Sequence, residues 1–375
     1  MPQTPAVVKP IISPVINANA STVVDIVQAS QSSIKAILDK VESVVLGKPK
    51  ECRLALACLL GQGHLLIEDL PGMGKTTLAN ALAATLGLSY QRTQFTNDLL
   101  PADILGFSIF DQQSNDFKLH KGPIFNQVVL ADEINRASPK TQSALLEAMA
   151  EQQVSIDGIT HELPMPFFVI ATQNPLFHAG TYPLPESQLD RFMMRLSLGF
   201  PDLKAEKKML LNTAQRTSQT TKNKRSDSDA VITQGELITM QNAVTQVKVS
   251  NDVIEYIIAL SHVSRRAYSG QDNSANTTQP NTSPFNTREN EAEISCKPLS
   301  PRASKALLQA AKAMAFIDNR DYVLPDDVQA VFYVVCQHRL EIQSNQSIGS
   351  NHTDPASVAN KILKCVDVLN PLGYA

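Results

Sequence analysis

Short, continuous apolar runs recur through the first half of the chain, and longer amphipathic stretches separate them. Three of these runs have the length of a strand, at residues 64–68, 126–133 and 167–172. Apolar runs without alternation are typical of parallel strands that are buried on both faces. The first half is therefore predicted to be an α/β domain built on a parallel sheet.

The stretches between these runs carry helical and hairpin signals. Apolar residues recur at helical spacing over residues 32–46 and 52–60. Ser138 followed by Pro139 predicts the start of another helix, because a side-chain cap and a proline at the first helical position both favour one. Residues 153–163 alternate around an Asp-Gly pair, which predicts a β-hairpin.

Beyond residue 200 the pattern changes from strands to helices. Helical periodicity is found at 203–211, 235–247, 252–268, 302–317 and 325–340. Three polar stretches poor in bulky apolar residues interrupt it, at 215–229, 269–295 and 343–354, and they are predicted to be disordered insertions. The predicted domains are a flexible N-terminal tail at 1–29, an α/β nucleotide-binding domain at 30–200 and a helical domain at 201–375.

The junction between the first strand and the next helix has the composition of a phosphate cradle. Gly72 and Gly74 let successive backbone N–H groups converge on an anion, and the helix that follows adds the positive end of its dipole. In such a loop Lys75 is expected to reach the β- and γ-phosphates, and the Thr76 hydroxyl is expected to bind Mg²⁺. Asp69 departs from the common pattern, which has a glycine at that position.

The second apolar run ends in paired carboxylates. Asp132 and Glu133 would open into the crevice at the carboxyl ends of the strands, where ligands of such sheets bind. We expect Asp132 to support Mg²⁺ and Glu133 to polarise the attacking water, since phosphoryl transfer depends mainly on positioning and charge stabilisation. The alternative is a strand capped by a solvated acidic pair, which the phosphate loop makes the weaker reading.

Two further positions extend this set of residues. Asn174 follows the third apolar run, where its amide would hold the attacking water, or where Asn174-Pro175 would simply open a turn. Arg191 lies between apolar neighbours, and on the sequence alone it is better interpreted as pairing with a nearby aspartate. Arg136 and Lys140 are interpreted as solvated surface residues.

These motifs together resemble the MoxR family of AAA+ ATPases, in the helix-2-insert clade. The segments that carry the resemblance are 67–76, 122–125, 130–137, 142–149, 171–175, 180–186, 189–192, 300–304 and 319–323. The resemblance covers residues 30–342 and implies a P-loop NTPase core, a three-layer αβα arrangement with a parallel sheet, followed by a C-terminal all-helical lid. An acidic residue at the Asp69 position is usual in that family, so the departure at this position supports the assignment.

The resemblance also assigns roles to individual residues. It makes Glu133 the catalytic base, Asn174 the first sensor of the γ-phosphate, Arg191 an arginine finger offered to the neighbouring subunit and Arg302 the second sensor. Metal binding falls to Thr76 and Asp132. The residues expected to contact the nucleotide are Leu46, Gly47, Asp69, Pro71, Gly72, Met73, Gly74, Lys75, Thr76 and Thr77. Leu46 and Gly47 would lie over the adenine, although the alternative is an ordinary turn between helices.

A biological role follows from the resemblance only as an expectation. It implies ATP and Mg²⁺ as cofactors, a homo-oligomeric, probable hexameric ring, and a chaperone-like action on a protein client, including cofactor or metal insertion. It also implies a partner with a von Willebrand factor A domain. The alternatives are a nucleotide-gated scaffold, a magnesium-chelatase-like motor and a nucleic-acid motor on the same fold.

Composition narrows these alternatives. The formal net charge of −3 provides no basic field for nucleic-acid backbones, so nucleic-acid binding is disfavoured. The five cysteines form no Cys-x-x-Cys pair and are expected to be reduced, buried thiols of a cytoplasmic protein. No stretch approaches the about 18 apolar residues of a transmembrane helix, and the N-terminus lacks a signal-peptide pattern.

Overall fold

The structure is a computed structural model that describes residues 23–113, 115–174, 180–216, 230–272, 296–340, 355–369 and 371. In the first half the helices are α1 (Val23–Val44), α2 (Pro49–Leu60), α3 (Lys75–Thr85), α4 (Pro101–Leu105), α5 (Pro139–Glu151) and α6 (Glu186–Leu189). The strands are β1 (Leu65–Glu68), β2 (Tyr90–Gln94), β3 (Gly106–Asp111), β4 (Asp116–Lys121), β5 (Val128–Asp132), β6 (Gln153–Ile156), β7 (Ile159–Glu162), β8 (Phe168–Gln173) and β9 (Met194–Leu196).

A five-stranded parallel sheet forms the centre of the first domain, in the order β2-β5-β8-β1-β9. Successive residues of its strands enter two different apolar clusters. In β1, Leu65 and Ile67 join the cluster that contains α1 and α3, whereas Leu66 joins the cluster that contains α5. Because side chains alternate across a strand, the sheet is covered by helices on both faces. The predicted three-layer α/β core is confirmed.

The second half is helical among the described residues. Its helices are α7 (Leu203–Arg216), α8 (Gln234–Thr245), α9 (Asn251–Asp272), α10 (Pro301–Ile317), α11 (Pro325–Leu340) and α12 (Pro355–Cys365). Helix α11 packs against both α10 and the edge strand β9, so this domain is attached directly to the sheet. Ser300 caps α10 by accepting a hydrogen bond from the Ala303 N–H at 3.2 Å, as the Ser-Pro start predicted.

Three predicted boundaries need correction. Helix α1 begins at Val23, inside the predicted tail, because Val27 is buried in the core next to residues of α3. Residues 215–216 and 269–272 end α7 and α9, although they were assigned to polar insertions. The remainder of the tail and of the three insertions lies outside the described residues.

Two antiparallel hairpins project from the core. The β6–β7 hairpin turns at Asp157 and Gly158, both with positive φ, and confirms the prediction for 153–163. The β3–β4 hairpin spans 106–121, a region with little regular pattern of apolar and polar residues. Its large apolar side chains are exposed: Phe107, Ile109, Phe110 and Phe117. Among the residues that the structure describes, no helix combines the length and apolarity needed to cross a bilayer.

Candidate active site

The loop between β1 and α3 has the backbone geometry of an anion cradle. Gly72 and Gly74 have φ angles of +85° and +90°, a left-handed region that side chains disfavour. A Cβ built on either glycine would meet nothing within 4 Å, so the concave side of the loop is open. Gly74 is the N-cap of α3, and the free N–H groups of that first turn point to the opening. The loop is therefore suited to phosphate.

Lys75 lies beneath this loop and is only 7% exposed. Its Nζ donates to the Asp69 carbonyl at 2.8 Å and to Asn174 Oδ1 at 3.0 Å. Burial lowers the pKa of Lys75, while the charges of Asp132 and Asp69 act in the opposite direction. The ammonium group thus connects the phosphate loop to the end of β8.

The carboxylate of Asp69 turns away from the cradle and binds the segment that leads into α7. It accepts hydrogen bonds from Ser197 Oγ at 2.9 Å and from the N–H groups of Leu198 and Gly199. An acidic side chain at this position therefore has a structural role in joining the loop to the segment after β9. The backbone carbonyl of Asp69 contacts Lys75, and the predicted contact of Asp69 with the nucleotide stays a prediction.

The other predicted nucleotide contacts lie in the phosphate loop, in the first turn of α3 and in the turn between α1 and α2. Pro71 and Thr77 are exposed, and Met73 and Thr76 are half-buried. Gly47 has a φ of +74°, and a Cβ there would lie 2.7 Å from the Cβ of Ala205. The Leu46–Gly47 segment is therefore packed tightly against the start of α7.

Asp132 ends β5 and uses its two oxygens differently. Its Oδ1 accepts a hydrogen bond from Thr172 Oγ1 at 2.6 Å. Its Oδ2 accepts two from Arg92, from Nη2 at 2.6 Å and from Nε at 3.1 Å. Thr172 is fully buried on β8, whereas the Arg92 side chain on β2 is 50% exposed.

Glu133 follows in a left-handed conformation, with φ of +56°, that separates its side chain from that of Asp132. Its Oε1 accepts a hydrogen bond from Asn174 Nδ2 at 2.9 Å. Its Oε2 accepts one from Gln94 Nε2 and one from Arg136 Nη1, both at 2.8 Å. Lys75, Asn174 and Glu133 consequently form one continuous hydrogen-bonded chain.

Arg191 and Arg302 lie at the amino edge of the sheet, where its parallel strands begin. The phosphate loop lies at the carboxyl edge, where the strands end. Strand β9 runs parallel to β1 with Leu65 opposite Met194, so residues 190–193 precede the amino ends of these strands. The phosphate loop follows the carboxyl end of β1, about 13 Å away for four residues of strand. Arg191 Nη1 donates to the Leu146 carbonyl of α5, and Arg302 Nη1 lies 3.6 Å from Asp190 Oδ2.

Arg339 of α11 fixes the segment that carries Arg191. Its guanidinium, with the side chain 6% exposed, donates to Asp190 Oδ1 at 2.7 Å and to the Asp190 and Phe192 carbonyls at 3.1 and 2.8 Å. His338 contacts the Phe192 carbonyl through Nε2, and Gln337 Nε2 donates to the Arg195 carbonyl at 2.5 Å. Three successive residues of the helical domain thus hold the backbone before and within β9.

Comparison with known proteins agrees with this architecture. Residues 64–194 match the ATPase family associated with various cellular activities (AAA), and residues 290–359 match the AAA lid domain. The chain is 40% identical to YeaC of Bacillus subtilis, over 83% of this chain and 89% of that protein. It is 32% identical to the chaperone MoxR1 of Mycobacterium tuberculosis, over 90% of this chain and 83% of that protein. The chain belongs to the MoxR family of AAA+ ATPases.

A solved structure supports the same conclusion for this MoxR-type chain. The crystal structure of a candidate ATPase from Cytophaga hutchinsonii superimposes with a TM-score of 0.76 at 35% identity, covering 92% of this chain and 97% of that one. The groups around the cradle also suit the cofactors that the family implies. A hydroxyl on Thr76 and a carboxylate on Asp132 are the hard oxygen donors that Mg²⁺ prefers, and the open loop offers N–H groups to phosphate.

Arg302 lies at the amino edge of the sheet, where its Nη1 is 3.6 Å from Asp190 Oδ2. Its side chain is 61% exposed there. The roles of Arg302 as second sensor and of Arg191 as arginine finger stay predictions.

Three other residues of the MoxR site were missed from the sequence: Arg92, Gln94 and Thr172. Arg136, which was interpreted as solvated, is 55% exposed and also pairs with Glu133. Arg92 and Gln94 stand two residues apart on β2, so they share a face. Nothing in that local spacing indicates that β2 pairs with β5 beside Asp132.

Proposed function

We propose that this protein hydrolyses ATP to ADP and phosphate at a site completed by a second copy of the chain. The observation that carries this proposal is the hydrogen-bonded chain from Lys75 through Asn174 to Glu133. It joins a cation under the phosphate loop to a carboxylate that can orient water, with an amide between them. That order of groups suits an in-line displacement on a terminal phosphate.

The position of each residue of the site determines its proposed role in hydrolysis. The glycines and Lys75 hold the phosphates, while Thr76 and Asp132 would hold Mg²⁺, which supplies charge neutralisation when bound. Glu133 orients and deprotonates the attacking water, and Asn174 keeps Glu133 and that water in register. Glu133 Oε2 accepts two hydrogen bonds and Oε1 accepts one, so Oε1 retains a lone pair for that water.

Arg191 and Arg302 complete the site of a neighbouring subunit. Neither reaches the cradle of its own chain, and a cation that stabilises the transferring phosphoryl group is typically worth on the order of 10³–10⁵ in rate. Activity should therefore require a ring, for which the AAA+ architecture favours a hexamer. Leu46 and Gly47 would border the base, because they pack against the start of α7 on the outer side of the loop.

The work performed is proposed to be remodelling of a protein client, as in the chaperone relative. The exposed β3–β4 hairpin, with its four large apolar side chains, is the part of the core best suited to touch a client. Maturation of a cofactor or metal centre, a partner with a von Willebrand factor A domain and a cytoplasmic location stay predictions. A nucleotide-gated scaffold is the second candidate, favoured by the three hydrogen bonds that Glu133 already accepts from protein side chains.

The Glu133→Gln variant separates these candidates. It should bind ATP as tightly as the wild type while phosphate release falls by two orders of magnitude or more, since the amide cannot take a proton from water. Equilibrium binding of a fluorescent ATP analogue and a steady-state phosphate assay measure the two quantities. A Lys75→Ala variant is the control for lost binding. Absence of ATP turnover in wild-type rings would favour the scaffold.

A further inference from the structure

A cation from the edge strand occupies one oxygen of the carboxylate that is proposed to support Mg²⁺. Arg92 lies on β2 opposite Leu130 of β5, two residues before the position opposite Asp132. Its Nη2 and Nε both donate to Asp132 Oδ2, at 2.6 and 3.1 Å. The pair is asymmetric in its surroundings, because the Arg92 side chain is 50% exposed and that of Asp132 is 10% exposed.

The rest of the Asp132 environment is fixed. Thr172 Oγ1 donates to Oδ1 at 2.6 Å and also accepts the Glu133 N–H at 2.9 Å, so one oxygen of Asp132 is held by a buried, neutral donor. Only the Oδ2 side is met by a side chain that can move into solvent. Arg92 itself has one further partner, Gln94 Oε1 at 3.3 Å from Nη2.

The energetics of the Arg92–Asp132 ion pair favour release of Arg92 when another cation binds Asp132. A nearly buried carboxylate without a countercharge is costly. Lys75, on whose pKa the charge of Asp132 acts, is one positive charge nearby, and Arg92 is the cation that contacts an oxygen of Asp132. An ion pair with one half-exposed partner contributes little net stability, because that partner regains hydration and side-chain entropy when it is released. A divalent cation near the same oxygen would repel the guanidinium strongly at such a distance.

We propose that Arg92 is the resident counter-cation of Asp132 and that it leaves Oδ2 when a Mg²⁺–nucleotide binds. This inference rests on the proposed ATPase function and adds an element of metal control to it. Arg92 balances the charge of Asp132 and orients its carboxylate in the free protein, and the metal has to compete with it for Oδ2. Metal without nucleotide then binds weakly, and the nucleotide phosphates supply the additional ligands.

Two other roles for Arg92 predict different results. If Arg92 only tethers β2 to β5, its removal lowers stability and leaves the metal dependence unchanged. If Arg92 contacts the phosphates, its removal weakens nucleotide binding even without a metal. An exchangeable counter-cation predicts a lower Mg²⁺ requirement in its absence.

The experiment measures binding of a non-hydrolysable, fluorescent ATP analogue to the full chain during a Mg²⁺ titration. In Arg92→Gln the Mg²⁺ concentration for half-maximal tightening should fall by about three- to tenfold, as expected for loss of a competing, partly exposed ion pair. Affinity for the analogue in EDTA should change less than twofold. Arg92→Lys, whose ammonium cannot make the double contact, should shift in the same direction by a smaller factor.

Lys248→Ala is the matched control. It removes one exposed lysine from an ion pair with Asp321, whose Nζ–Oδ2 distance is 2.9 Å, in the helical domain. It should leave the Mg²⁺ requirement unchanged, which separates the local effect from a change in net charge. Melting in EDTA checks folding: Arg92→Gln should melt below the wild type and gain more on addition of Mg²⁺ with the analogue.

An unchanged or raised Mg²⁺ requirement in both Arg92 variants would overturn the proposal, and so would a loss of affinity in EDTA. The failure of the ATPase proposal looks different. In that case the wild type would bind the analogue no better than Lys75→Ala at any Mg²⁺ concentration. Wild-type binding that depends on Lys75, together with Arg92 variants that match the wild type, would remove only the role of Arg92.

Discussion

The two edges of the central sheet carry charged side chains in contrasting surroundings. At the carboxyl edge Arg92 and Arg136, with side chains 50% and 55% exposed, pair with Asp132 and Glu133. At the amino edge Arg339, 6% exposed, binds one carboxylate and several backbone carbonyls. Solvated partners can be exchanged at low cost, whereas buried bonds to the backbone cannot. One edge is suited to changing partners, and the other to holding a fixed geometry.

The largest expected effect comes from Arg191, which lies at the amino edge and is proposed to act at the carboxyl edge of a neighbouring subunit. Arg191→Ala should reduce kcat by roughly 10³-fold while nucleotide affinity stays near that of the wild type, because the side chain is proposed to act on the transition state in a neighbouring subunit. Steady-state hydrolysis and analogue binding measure both quantities. Mixed rings of Arg191→Ala and Lys75→Ala subunits should regain part of the activity. No recovery in rings of confirmed composition would place Arg191 in its own site.

The rigidity of the amino edge is tested by Arg339→Met. It should lower the free energy of unfolding by about 3–5 kcal/mol, because Asp190 and the carbonyls of Asp190 and Phe192 lose a nearly buried partner. Urea denaturation followed by circular dichroism measures the loss. A cost below about 1 kcal/mol would show that this edge is as adaptable as the other.

A buried histidine makes the same edge sensitive to acid. His64 Nδ1 accepts the Val169 N–H at 3.1 Å, its Nε2 contacts the Met149 carbonyl at 3.2 Å, and burial lowers its pKa to about 4. Between that value and the usual pKa of about 6.5 the unfolded chain binds more protons, so stability falls as the pH falls.

The expected contribution of His64 is a loss of about 3 kcal/mol in the free energy of unfolding between pH 7 and pH 4. His64→Gln can make similar hydrogen bonds without titrating, so its stability should depend less on pH over that window. Denaturation at several pH values gives the two slopes, with His120→Gln on the exposed hairpin as the control. Equal slopes for His64→Gln and the wild type would contradict the assignment.

The smallest expected effect lies at the carboxyl edge. Arg136→Ala removes a half-exposed partner of Glu133 and should change the free energy of unfolding by less than about 1 kcal/mol. Urea denaturation is again the measurement. A larger loss would mean that the pairing around Glu133 contributes to the fold, and the contrast between the edges would weaken.

The sequence predicted those features that depend on short-range pattern. Uninterrupted apolar runs identified β1, β5 and β8, and their ends identified Lys75, Asp132, Glu133 and Asn174, which the structure brings together. The cap at Ser300 and the hairpin at Asp157 were also predictable, because each depends on neighbouring residues. Predictions of burial succeeded for the cysteines, all five of which are free and buried.

Features that depend on distant pairing were not predictable. Arg339 and Asp190 are 149 residues apart, and nothing in either local pattern indicates the contact. The same holds for Arg302, whose position at the amino edge follows from how α10 packs on α11 and α11 packs on β9. Arg92 and Thr172 also belong to strands that are brought beside Asp132 only by the order of the sheet.

The carboxylate at position 69 has a mechanical consequence. It ties the phosphate loop to Ser197, Leu198 and Gly199, only a few residues before the helix that also packs against Gly47. A ligand that displaced the loop would thus pull on the first turn of α7, and one that wedged beside Gly47 would push on that same turn. Movement at either end of a bound nucleotide would therefore move the first turn of α7, where the helical domain begins.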